Sequence, residues 1–297
     1  MSPAMSTRWR EHTAVEAYWN DHTVNSKPFK SAADSQRYLT WRFEEYPLFR
    51  EYMDLWGAHD GEILLDYGCG PGDDLVGFLL HTTARKIIGM DVSRKALSLT
   101  RRRLAIHEVP PSRVDLILVR DGRAQIPIDD ETVDYINCGG VLQHTSHPET
   151  ILREFFRVLR RGGRARIMVY NRHSLWFHLY TAYVKMIVEN AFPGLGVDEA
   201  FSHNTDGERC PISRCYAPGQ FVGLLQAAGF QAEFLGGYLS RQELTCLKDF
   251  GATALADPRL AGEHREFILD LRSDARGLPM YRDKHAGIGG VYSAVKA

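Results

Sequence analysis

Asp66, Gly68, Gly70 and Gly72 stand at two-residue intervals, directly after the apolar residues 63–65. Glycines spaced this closely let the backbone turn sharply and approach a ligand with no Cβ in the way. An apolar run that ends in such a turn reads as a strand covered on both faces, carrying its last carboxylate to a ligand. Three kinds of loop compete. A phosphate-cradling loop needs four residues between its glycines and then Lys-Ser/Thr, but Asp73 and Asp74 stand where the lysine would be useful. A dinucleotide loop wants a third glycine where Asp73 lies, counting from Gly68. Two carboxylates at a helix N-terminus already occupy the place of a phosphate. The residue types therefore favour a cationic or zwitterionic ligand, and a tight turn without a ligand is the plain alternative.

Histidine supplies the remaining candidates for proton chemistry. His144 follows the fourth predicted strand and titrates near working pH, which makes it the candidate general base. The competing reading is that it only shapes the pocket. His22 is a second candidate for the same pocket, against a reading as an exposed turn residue. His147 precedes Pro148 and reads as a helix start. Thr205-Asp206-Gly207 reads as turn chemistry. His, Cys, Asp and Glu are too scattered along the chain to predict a metal site, and no G-x-S-x-G elbow is present.

These residues need elements that bring them to one edge. Strands are predicted at 63–65, 86–90, 114–119, 133–138, 164–170, 232–238 and 291–295. Helices alternate with them. One opens at Asp73-Asp74 and buries Leu75, Phe78 and Leu79. Ser93 caps a second, with Ala96, Leu97, Thr100 and Leu104 at helical spacing. Pro148 and Pro218 open two more, and Gly162-Gly163 is expected to end the helix begun at Pro148. Trp176, Phe177, Tyr180 and Tyr183 mark another helix, packed on the core. The repeated units imply a doubly wound, mostly parallel seven-stranded α/β sheet of Rossmann-like form. Four stretches follow: an aromatic-rich helical N-terminal lid at 1–57, a core at 58–170, a lid insertion at 171–217, and the rest of the sheet with a helical insertion at 218–297. Long segments that interrupt a core are often functional, and these are expected over the carboxyl ends of the strands.

Asp66-Tyr-Gly-Cys-Gly-Pro-Gly72 resembles the glycine-rich first motif of class I S-adenosylmethionine-dependent methyltransferases. The resemblance extends over about 60–240 and the last strand. It includes Asp91 after the second strand and Asp121-Gly122 after the third. Pro127 to Ile136 resembles the family's L-P-F-x-D-x-x-F-D segment. Gly140 to His144 and Arg157-Val-Leu-Arg-Arg-Gly-Gly163 are similar to segments of its bacterial small-molecule branch, with Arg161 in place of a proline. It implies S-adenosyl-L-methionine as cofactor, contacted at Asp66, Gly68, Cys69, Gly70, Gly72, Asp91, Val92, Asp121, Gly122, Cys138 and Gly139. Asp91 would take both ribose hydroxyls, as a carboxylate can. Asp121 would meet the adenine amino group. The stretch 17–47 resembles the leader of such enzymes, and Arg42 is the candidate for the cofactor's carboxylate, or else a surface arginine. The implied activity is methyl transfer to a small organic acceptor at oxygen, nitrogen or carbon. A protein that binds the cofactor without transferring methyl is the alternative.

Composition narrows the partners. Lys+Arg number 36 against 37 Asp+Glu, so no global field favours nucleic acid. Arg101-Arg102-Arg103 reads as a solvated helix face. The five cysteines show no paired metal spacing, which suits free thiols in a reducing cytoplasm. The first residues lack the apolar core of an export signal, and no apolar stretch reaches the roughly 20 residues of a membrane span. A homo-oligomer is compatible with all of this.

Overall fold

The computed structural model describes residues 14–297. Trp9, and the reading of the first residues as lacking an export signal, lie outside the described residues. The strands are β1 (Ile63–Tyr67), β2 (Lys86–Asp91), β3 (Val114–Leu118), β4 (Val133–Gly139), β5 (Leu159–Asn171), β6 (Cys215–Tyr216), β7 (Gln231–Tyr238), β8 (Arg272–Ser273), β9 (Pro279–Tyr281), β10 (Lys284–His285) and β11 (Gly289–Val295). Seven lie in the order β3-β2-β1-β4-β5-β11-β7, and β6 pairs parallel with the last residues of β5. Among the described strands of this sheet β11 alone is reversed, antiparallel to both β5 and β7. β8, β9 and β10 form a small separate antiparallel sheet.

Alternation along the strands explains the two-sided core. Leu64, Ile87 and Tyr135 face one apolar cluster, while Leu65, Ile88 and Ile136 face the other. Strands covered on both faces have to be apolar on both. The first cluster takes the helices Asp73–His81 and Arg94–Ile106, through Leu75, Phe78 and Leu97. Ser93 caps the latter by accepting from the Ala96 amide. The second cluster takes Pro148–Val158 and Pro218–Ala227. Both open on proline, where the missing N–H costs nothing.

Three local expectations are corrected. The helix from Pro148 stops at Val158, and Gly162-Gly163 lie inside β5. Leu159 already pairs with Val133, and the register resumes at Tyr135–Arg164. Gly162, at φ +73, carries the intervening bulge and donates its amide to the Lys296 carbonyl. The helix over Trp176–Val188 is wound as a π-helix, which nothing in its spacing signals; it buries Phe177 and Tyr183 as expected, leaves Trp176 and Tyr180 half-buried, and buries Leu179 as well. Arg101 and Arg102 are exposed, but Arg103 is 2% exposed. Three consecutive helical residues fan around most of the circumference, so the third points inward. Arg103 donates from Nε to Ser35 Oγ at 2.7 Å, ion-pairs with Asp73 and lies 4.3 Å from the Phe29 ring.

The remaining segments attach to this frame. The helix Ala32–Glu45 leads into the core through Leu39 and the short helix Phe49–Tyr52. The insertion before β11 holds the helices Arg241–Ala256 and Gly262–Leu269. Glu243 fastens it: one carboxylate oxygen accepts from the Ser240 amide and hydroxyl, and the other from the Trp176 amide. Among the described residues no helix is long and apolar enough to cross a membrane.

Candidate functional site

The carboxyl ends of β1, β2 and β4 open onto a cavity of about 210 Å³. Gly68, Gly70 and Gly72 adopt φ of +76, +53 and +81, conformations that strain any residue with a Cβ. The surroundings divide the glycines between two tasks. A Cβ on Gly68 would stand 2.2 Å from Val141 Cγ2, and one on Gly72 would stand 2.8 Å from Thr100 Cγ2. Those two glycines permit close packing. A Cβ on Gly70 would meet nothing within 4 Å, and Gly70 lines the cavity. Gly70 therefore leaves ligand space open.

Three aspartates converge from successive strand ends. Asp91 lines the cavity, and its two oxygens accept from the Gly70 amide at 2.9 Å and the Ser93 amide at 2.7 Å. Burial pushes its carboxyl up, while the amides of Ser93, Gly70 and Val92 pull it down. Asp121 accepts from the amide and hydroxyl of Ser146. Its own amide donates to Glu16 at 3.2 Å, so the N-terminal segment docks on this aspartate. Asp66 is 3% exposed. Asn137 donates to its Oδ1 at 2.9 Å, and its Oδ2 has no partner.

Burial first, and then the neighbouring Asp74 carboxylate, raise the Asp66 carboxyl to about 8, against about 3.9 in an unfolded chain. The folded chain thus holds a proton that the unfolded chain gives up in that window. The stability linked to this proton is complete below about pH 4 and is lost as pH rises through about 8. Asp66→Asn is expected to abolish that decline. Denaturant midpoints of the ligand-free proteins, measured across this range, should diverge with rising pH; parallel curves would mean Asp66 is already charged at neutral pH.

Arg42 reaches the cavity from the helix Ala32–Glu45 and ion-pairs with Asp74. Its guanidinium also lies 4.4 Å from the Phe49 ring. Among the described residues that line the cavity it is the only lysine or arginine, facing Asp66, Asp73, Asp74, Asp91 and Asp121. Such a cavity attracts a cation and repels a diphosphate.

His144 closes a 3-10 turn, Leu142–His144, just after β4. Its side chain is 5% exposed, its Nδ1 lies 2.8 Å from the Ile212 carbonyl, and its Nε2 lies 3.6 Å from Asp206 Oδ1. Trp19 covers the ring at 4.7 Å between centroids. Burial lowers the imidazole pKa, against the opposing pull of Asp206.

Most predicted positions meet at this cavity: Asp66, Gly68, Cys69, Gly70, Asp91, Val92, Asp121, Gly139, Arg42 and His144 all line it. Four do not. Gly72 packs on Thr100. Cys138 alternates away from Gly139 into the apolar core beneath β4. Gly122 is exposed in the tight turn between Arg120 and Arg123. His22 is exposed beyond the end of the first helical stretch, stacked on Tyr18 with its Nδ1 at the Tyr18 carbonyl. Sequence reasoning missed Val15, Thr23, Ser93, Val119 and Thr145 as lining residues. Ser93 was legible only as a helix cap, and the others carry no local signal. It also read Asp206 as a turn residue.

Comparison with known proteins places this geometry. The family described as "Methyltransferase domain" matches residues 65–167, which span the glycine loop, all three aspartates and His144. Residues 65–167 thus match a methyltransferase domain, and the strand order around them is that of a doubly wound sheet. The chain is 37% identical over 114 residues to an uncharacterized 37.1 kDa protein in transposon TN4556 of Streptomyces fradiae, covering 38% of this chain and 31% of that protein. It is 33% identical over 117 residues to a demethylmenaquinone methyltransferase of Symbiobacterium thermophilum, covering 39% and 45%. The alignments thus span less than half the length of these curated relatives. A geranyl diphosphate C-methyltransferase from Streptomyces coelicolor shares the fold with a TM-score of 0.54 at 14% identity, over 97% of this chain and 98% of that one.

Proposed function

We propose that this chain transfers the methyl group of S-adenosyl-L-methionine to a small organic acceptor, at oxygen, nitrogen or carbon. The observation that carries the reading is the fit of the cavity to a zwitterionic sulfonium nucleoside. The partnerless Asp66 oxygen can receive the ammonium group once the carboxyl gives up its proton to solvent. Arg42, whose fork has five N–H donors, can take the carboxylate beside its contact with Asp74. Asp91 holds two backbone amides yet keeps lone pairs for the ribose diol, and Asp121 suits the adenine amino group. The space above Gly70 admits the ligand against the main chain.

When bound, this cofactor supplies an electrophilic methyl group on a positive sulfur. The protein's part is to align the acceptor with that carbon and to exclude water, which can contribute ~7–11 kcal/mol of the barrier. In this reading the N-terminal segment and residues 171–217 act as the lid. Val15, Trp19 and Thr23 cover the cavity from one side, while the Ile212 carbonyl fixes the His144 ring from the other. His144 then stands at the acceptor end, its Nε2 turned towards Asp206. The near-neutral charge suits a small acceptor over a nucleic acid, and the five free cysteines suit the cytoplasm.

Thermal shift and labelled-methyl transfer test the reading. S-adenosylhomocysteine should raise the melting midpoint, and NAD should leave it unchanged. Quinols, beginning with demethylmenaquinol on the strength of the named relative, together with phenols and amines, form the acceptor panel. Stabilisation by NAD in place of S-adenosylhomocysteine would overturn the reading. Binding without methylated product from any acceptor would leave a cofactor-binding protein.

A further inference from the structure

His144 lies far from Asp206 and Cys210 in the sequence, yet the three bring their ligand atoms within 4.8 Å of one another. His144 comes from the turn after β4. Asp206 ends the helix Val197–Asp206, where Gly207 at φ +86 reverses the chain. Cys210 sits in the next turn, its amide bonded to the Gly207 carbonyl at 3.0 Å. We propose that these three side chains bind a divalent transition-metal ion, zinc by the character of its donors, in the wall of the cavity beside the acceptor end.

The hydrogen-bond geometry argues for it. The Ile212 carbonyl can only accept, so His144 Nδ1 carries the hydrogen and Nε2 of the neutral ring presents a lone pair. That lone pair faces Asp206 Oδ1, another acceptor, across 3.6 Å, and both side chains are 5% exposed. Two buried acceptors turned towards each other call for a positive centre between them. A proton would satisfy those two alone. The Cys210 sulfur adds the third donor, giving a mixed nitrogen, oxygen and sulfur set that suits zinc.

The surroundings match as well. Ligating histidines usually donate their other N–H to a carbonyl or carboxylate, and ligating carboxylates are themselves hydrogen-bonded. Here Tyr170 donates to Asp206 Oδ1 at 2.8 Å and Ser213 to Oδ2 at 2.6 Å. Donor atoms on one tetrahedral zinc lie roughly 3.3–3.6 Å apart, given bonds of about 2.0 Å to nitrogen and oxygen and about 2.3 Å to sulfur. The histidine–aspartate separation already meets this, and the cysteine arm closes by no more than about 1.5 Å from the 4.8 Å limit. Binding forms Nε2–metal, Oδ1–metal and Sγ–metal bonds. The Cys210 Sγ–H bond, now donated to the Ile212 carbonyl, breaks, and its proton passes to solvent. Three protein ligands leave one tetrahedral position open. Since His144 lines the cavity, that position takes a water or, resting on the methyl-transfer reading, an acceptor hydroxyl or thiol that loses its proton more readily there.

Cobalt(II) titration of the full chain, first stripped with chelator, tests the site. The wild type should take up about one equivalent and develop a near-ultraviolet thiolate-to-cobalt charge-transfer band. Cys210→Ser should abolish the band, and both it and Asp206→Asn should weaken binding at least about tenfold. Cys215→Ser should change neither. Far-ultraviolet dichroism checks that each metal-free variant is folded, and Cys210→Ala replaces a serine variant that is not. No band in the wild type, as for a cluster holding only a proton, overturns the proposal, and so does a band that survives loss of Cys210. S-adenosylhomocysteine calorimetry on the same samples keeps the readings apart. Cobalt uptake without nucleoside binding refutes methyl transfer and leaves the metal site standing; the reverse refutes the metal site alone.

Discussion

Asp91→Ala is expected to weaken S-adenosylhomocysteine binding about a hundredfold, read by isothermal titration calorimetry. Two effects combine. The carboxylate proposed to take the ribose diol disappears, and the Gly70 and Ser93 amides lose their common acceptor. Hydrogen bonds to a charged group contribute about 1.5–3 kcal/mol each, and every 1.4 kcal/mol or so is a factor of ten in affinity. Even one ribose contact plus partial loosening of the loop reaches that hundredfold. Asp91→Asn, which keeps one acceptor oxygen, should fall between the two. An affinity for Asp91→Ala within about threefold of wild type would remove this residue from the site.

Arg103→Met should cost about 3–5 kcal/mol of folding stability, the usual consequence of removing one partner from a buried ion pair. Arg103 is among the largest fully buried side chains, and its loss strands Asp73 at the start of the helix after the glycine loop. It also breaks the bond to Ser35 that ties the helix Ala32–Glu45 to the core. Adding Asp73→Leu removes the stranded charge, and the double variant should recover much of the deficit. Denaturant midpoints at unchanged slope measure both. A single variant as stable as wild type would mean that water or relaxation reaches the pair.

What could be read from the chain alone follows from the length scale of each signal. Strand ends are local events, and in a doubly wound sheet they converge on one edge. Asp66, Asp91 and Asp121 were therefore legible as neighbours. Cys138 was not separable from Gly139 without the pleat, which sends adjacent residues to opposite faces. Arg103 looked like its exposed neighbours because composition does not record which way a helix is turned. Asp206 carried the local signature of a turn and closes a helix, while its reach to His144 depends on how residues 171–217 fold back. Gly162-Gly163 resembled a helix stop because glycine marks both chain reversals and strand bulges.

The placement of β11 has a consequence for the unfinished chain. Gly289–Val295 lie between β5 and β7 and pair with both. A nascent or proteolysed polypeptide lacking those residues would bare one rim of β5 and strip β7 of its ladder partner. Unpaired rims of this kind template aggregation, so the burden on chaperones should fall most heavily just before that segment docks.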